Sequence, residues 1–286
     1  TAQARQGRLS AVVTQPLASG ISDVTKWGTA EFNLPSNSTY TGCTLIAQGT
    51  VIFNHLANGG QPSGLGASSP NATNVIFSPG SKYSNEAQRP RLCYTGPAAT
   101  TDRGVALGYY CDGILEASGT GPITWNGPLA LFNPGNTTYG IFTLGGNNTG
   151  NNTYAGNISD VGSGITLRLR KEGAGTWVLT GSNALAYPVA ISNGTLLVNS
   201  PGVLNGAVNV YGGIFGGSGT IVSNVTVASG VLAPGASIGI LKLTQNLTLN
   251  AGALLRVELY GEFPGAEYDQ LQLIGPASKV TLAGAL

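Results

Sequence analysis

One histidine, three cysteines and twelve carboxylates bound the chemistry this 286-residue chain can attempt. Nucleophilic catalysis needs a base beside its nucleophile. His55, in Phe53-Asn54-His55-Leu56, stands at the end of a strand-like run and reads as a structural residue. Cys43, Cys93 and Cys111 show no metal-ligand spacing. Cys93 and Cys111 flank a Gly/Thr/Asp-rich loop in similar contexts, Leu92-Cys93-Tyr94 and Tyr110-Cys111-Asp112, which predicts a hairpin-closing disulfide, with two buried thiols as the alternative. Such a bridge contributes about 3 kcal/mol and belongs to an oxidising compartment. Cys43 is left over, as a buried thiol or as half of an intermolecular bridge.

Carboxylates gather at two places, Asp102 and Asp112 with Arg103, and Glu258, Glu262, Glu267 and Asp269. Polysaccharide cleavage requires clustered acids and bases on one face. These groups read instead as solvated loop charges or surface ion pairs, and the second lacks the nonapeptide repeat of calcium-binding β-rolls. The run GGIFGGSG from Gly212 to Gly219 precedes strand text, not a helix start, so it is no nucleotide loop. No cofactor, metal or catalytic residue is expected.

What must position any functional side chain is a β scaffold. Charged residues are 9% of the chain, against about 25% in ordinary domains, while apolar residues are 42% and Gly numbers 44. Low charge with many β-branched residues drives collapse into sheets. A net charge of +1 leaves no footprint for nucleic acid. No apolar run reaches the 18 residues of a membrane helix. The stretch GAGTWVLTGSNALAYPVAISNGTLLVN, residues 173 to 199, alternates short β segments with Gly, Asn, Ser and Pro corners and reads as one rung of a solenoid. It overlays on residues 27 to 54 with Gly28-Thr29 on Gly175-Thr176 and Gly49-Thr50 on Gly194-Thr195, a period near 20 residues. Later runs place apolar residues at every second position, so Val225, Val227, Leu247 and Leu249 are predicted to point inward. The tract from Gly145 to Thr153 is a polar turn cluster expected to form Asn and Thr ladders.

The phrases GAGTWVLTGSN, NGTLLVN, GSGTI, NVTV, LAPGAS and NLTL, taken in succession, resemble the autotransporter-associated β-strand repeat, also called the passenger-associated transport repeat. The resemblance covers about Trp27 to Leu282. It implies a right-handed, single-stranded parallel β-helix (β-solenoid), all-β, exported from a bacterial cell, and does not imply an enzyme. The absence of a leader before Thr1 reads as a mature chain, and the absence of membrane strands after Leu286 as a passenger cut free or exported by another route.

Three segments are expected: an N-terminal arm, cap or exchanged strand over 1–26, an irregular β-helix with long loops over 27–160, and regular rungs over 161–286. The leading functional expectation is an extracellular subunit that stacks head to tail with copies of itself, through Leu9, Ala11, Val12 and Val13 at one end and Val280, Leu282 and Leu286 at the other. The alternative is a monomeric adhesin passenger that binds glycans or matrix, and a polysaccharide-degrading enzyme comes third. Nine Asn-x-Ser/Thr sequons occur, with Asn136 and Asn151 the most plausible glycan carriers. Tyr139, Tyr154, Tyr187 and Tyr211 are candidate sugar contacts, while Trp177 and Tyr187 also read as packing residues.

Overall fold

The computed structural model describes residues 11–12, 23–34, 36–78, 86–108, 111–132, 138–160 and 165–283. Every strand-to-strand ladder there is parallel. This is the outcome expected when short apolar-alternating segments of one chain stack on the segments one coil earlier. An 18-stranded sheet and two five-stranded sheets enclose the core. Strands Val225–Pro234 and Leu247–Leu255 carry the large sheet round a corner, since Val225–Pro234 pairs with Val208–Val210 by its first half and with Ile214–Gly217 by its second. The large sheet therefore forms two sides of the solenoid. The five-stranded sheets form the third, continuous through the Ser159–Ala184 bridge and the bond from Leu129 N–H to the Asn157 carbonyl. The result is a parallel β-helix.

Alternation decides which side chains enter. Trp177, Leu196, Phe215 and Leu232 are opposite one another on consecutive coils and all fully buried. Val225, Val227, Leu247 and Leu249 are buried as predicted. Each such side chain contributes on the order of 1.5–3 kcal/mol of burial. The polar tract around Gly145 behaves differently from the stacked ladder expected of it. Asn152 turns fully inward and donates to the carbonyls of Asn148, Gly150 and Thr176, while its oxygen accepts from the Ile123 N–H. Asn183 makes the equivalent ties one coil later.

The corners correct the overlay of the two repeat copies by two residues. Glu31 pairs with Thr50 as Thr176 pairs with Thr195, so Gly28 corresponds to Gly173 and not to Gly175. The element that sets this register is a buried lysine. Lys171 Nζ donates to the carbonyls of Glu172, Gly173 and Asn193 at 2.7, 2.7 and 3.1 Å. Lys26 donates likewise to Trp27, Gly28 and Gln48. Both ammonium groups are almost wholly excluded from solvent, and burial pulls both down to about 8. Gly194 follows, at φ +67°, because a Cβ there would run into the carbonyl oxygen of Gly173 and lie 2.5 Å from that of Gly175 and 2.6 Å from Lys171 Nζ.

Three expectations change. The cysteines are free thiols. Cys93 lies opposite Glu116 in the ladder, and Cys111 precedes the strand Asp112–Ala117 that leads to Glu116. The four extended steps from Asp112 to Glu116 already span about 13 Å, beyond the Cα separation of about 7 Å that a disulfide tolerates. The buried-thiol alternative holds, with burial pushing the Cys93 thiol up to about 12. Second, Ala11 and Val12 pair with Phe32 and Asn33 of their own chain, which fits the cap among the readings of residues 1–26 and not a strand exchanged into a neighbour. Leu9, Val13, Leu286 and Asn136 lie outside the described residues. Third, Val24–Lys26 already pairs with Thr44–Ile46, so the first coil starts before the expected boundary at residue 26.

Candidate functional site

Most charged side chains are consumed by the scaffold itself. Arg89, 6% exposed at its side chain, bonds Glu86, Asp112, Glu172 and the Thr143 hydroxyl. Burial opposes its charge, and Asp112 and Glu172 outweigh that, holding the guanidinium more firmly protonated than usual. Arg91 pairs with Glu86 and Glu116, and Arg170 with Asp112 and Glu172. These contacts link coils across the outer face of the large sheet.

The first predicted acid group is thereby dispersed. Asp112 belongs to that ion-pair network, Asp102 accepts from the Gly59 N–H at 2.7 Å, and Arg103 is fully buried. Arg103 donates to the carbonyls of Ala57, Asn58, Gln61, Gly66 and Ser68 and to the Ser68 hydroxyl. It gathers the 57–68 excursion around one guanidinium, a role that no local motif signals. In the second acid group, Asp269 accepts from Gly239 and Glu258 N–H, and Glu267 from Glu262 and Phe263 N–H. Among the described residues no three His, Cys, Asp or Glu side chains gather as a metal site. His55 Nδ1 lies 2.8 Å from the Ser36 carbonyl.

Against this saturated background a lateral groove of about 180 Å³ stands out on the second side of the large sheet. Its floor is Leu197, Ile214 and Ala233, and its polar rim is Asn151, Thr176, Thr195, Ser237, Arg256 and Glu258. The Asn151 position, Thr176, Thr195 and Ile214 follow one another coil by coil along the axis. None of those six polar side chains has a hydrogen bond or ion pair among the described residues. Ser237, in the LAPGAS corner, is the one non-glycine described residue at positive φ, +125°, a strained conformation of the kind that clusters at ligand clamps. Asn151 is exposed at the groove edge, while the middle residue of its sequon, Asn152, is buried.

The predicted aromatic contacts divide. Tyr154 is fully buried and packs edge-on against Phe142 at 5.6 Å, so it belongs to the core and not to the surface. Trp177 is buried as a packing residue, whereas Tyr187 is 43% exposed and is not one. Tyr139 and Tyr211 are also exposed. On the first side of the large sheet, Tyr139 and Tyr187 flank Arg168, with centroids 5.7 and 4.8 Å from its guanidinium carbon.

Two stretches, residues 24–52 and 169–198, match the passenger-associated-transport-repeat family. They contain the two lysine-clamped corners. A stretch of 204 residues is 35% identical to the adhesin BmaC autotransporter of Brucella suis biovar 1 (strain 1330), covering 70% of this chain and about 5% of that relative's length. No described helix is long and apolar enough to cross a membrane. The chain thus carries two copies of the passenger-associated transport repeat, both built on the same clamped corner.

Proposed function

We propose that this β-helix is a section of an extracellular adhesin passenger, a stiff rod that binds saccharide from its side. The observation that carries the reading is the groove: six polar side chains without hydrogen bonds or ion pairs among the described residues, over an apolar floor, in a molecule that commits polar side chains such as Asn152, Lys171 and Arg103 to its own backbone. A sugar ring presents that combination in reverse, hydroxyls round its edge and C–H groups on its faces. The relative's name, an adhesin autotransporter, supports the same class of role.

Hydrolysis has less support. A glycosidase needs two working carboxyl groups, and of the groove's two, Asp269 spends both oxygens on backbone N–H groups. Head-to-tail stacking is the second reading. Val280 and Leu282, about half exposed on the last described strand, favour it.

The test is a titration of the saccharides that the wild-type chain captures against the Thr176→Val/Thr195→Val double variant and Arg256→Ala. Affinity is expected to fall about tenfold or more in each, since a site built for hydroxyls loses roughly 1–3 kcal/mol with an unpaired polar group. Unchanged affinity in both variants would remove the groove from the account.

A further inference from the structure

Arg168 differs from its arginine neighbours on the first side of the large sheet. Arg89, Arg91 and Arg170 each meet carboxylates, but Arg168 is exposed and meets none, nor any carbonyl, among the described residues. Its orientation is nevertheless fixed. Tyr139 lies on the coil before and Tyr187 on the coil after, each within the ~6 Å over which a ring face attracts a cation. Pro188 disfavours helical backbone at Tyr187. A guanidinium stacked on ring faces keeps its N–H donors in the plane between them, where a planar oxyanion can take two bonds in parallel.

We infer that Tyr139, Arg168 and Tyr187 form a second binding site, a receptor for the oxyanion of an acidic saccharide, either a uronate carboxylate or a sugar sulfate. The tyrosines supply flat apolar walls for the sugar ring, and Arg168 supplies the charge-assisted pair. A single unpaired guanidinium suits one oxyanion on a ring-shaped ligand. A nucleic acid or polyphosphate would need several cations, and the adjacent Arg170 is already balanced by Asp112 and Glu172. The site is on a different side of the solenoid from the groove, so either can fail alone.

Isothermal titration of the full chain with an unsulfated polyuronate tetrasaccharide, a sulfated tetrasaccharide and neutral chitotetraose tests the inference. At least one acidic ligand is expected to bind about tenfold or more tightly than the neutral one, and which of the two binds identifies the oxyanion. Arg168→Gln is expected to remove that preference, and Arg168→Lys to lose most of it, because an ammonium lacks the planar fork. Tyr187→Ala is expected to weaken both acidic and neutral binding at this face, while Lys242→Gln, which removes an exposed cation on the five-stranded sheet, leaves acidic binding unchanged. Circular dichroism checks that each variant retains its strands. No acidic binding by the wild type, equal affinity for the neutral ligand, or an unaffected Arg168→Gln would each overturn the inference.

Discussion

Replacing Lys171 with Met is expected to open the corner between the strands Ile165–Lys171 and Thr176–Leu179, at a cost of about 3 kcal/mol or more. The cost arises because three carbonyls, those of Glu172, Gly173 and Asn193, lose their donor inside the fold, and each buried unsatisfied group costs about 1–3 kcal/mol before relaxation. Methionine fills the lysine stem's volume, so packing loss is not the main term. In a solenoid each coil contacts only its neighbours, so the loss should appear locally. Hydrogen exchange of the amides tied across this corner, Ser192 N–H to the Lys171 carbonyl and Thr195 N–H to Gly175, is expected to accelerate by a factor of about 100. Arg at 171 should not rescue, because the space around the ammonium is already closed by Gly194. The same substitution at Lys26 should act alike on the first repeat copy. Unchanged exchange at both corners would mean that the lysines are bystanders.

Arg103→Ala is expected to release the 57–68 excursion and to cost about 3–5 kcal/mol. Five carbonyls and a hydroxyl converge on this one side chain, and nothing else described could replace so many donors at once. Burial lowers the guanidinium's hold on its proton, yet arginine starts high enough to stay charged, so every bond is charge-assisted. Limited proteolysis should detect the change as rapid cleavage between Ala57 and Ser68 in the variant and slow cleavage in the wild type. Arg103→Lys, with three donors, should give an intermediate rate. Equal cleavage rates in wild type and alanine variant would contradict the assignment.

The solenoid was legible because period-2 alternation in Val225-Thr226-Val227 or Leu247-Thr248-Leu249 can bury only one set of side chains. Trp177 was legible as core for the same reason. The lysine clamps were not, because Lys26 and Lys171 stand at the ends of strands where a charged residue ordinarily marks a surface, and only the neighbouring coil supplies their third carbonyl. That omission also shifted the overlay of the two repeats by two residues. Cys93 and Cys111 looked paired because their neighbours in sequence were alike, whereas ladder register separates them along the strand direction. The groove could not be read locally, since Thr176, Thr195, Ala233 and Arg256 come together only through stacking. For Tyr187 the sequence supports both an exposed aromatic and a packing residue, and only its place beside Arg168, 43% exposed, decides for the first.

The central claim is that the rod works through its side. Capture of saccharides on a glycan array by the wild-type chain, read beside the Thr176→Val/Thr195→Val variant, tests this most directly, with sedimentation of the same samples reporting their size. The account predicts that the wild type binds a defined subset of glycans as a species whose size does not change with concentration, and that the variant loses the members held in the groove while keeping any acidic ones held at Arg168. An array on which wild type and variant behave identically, with the wild type growing into filaments as concentration rises, would contradict it.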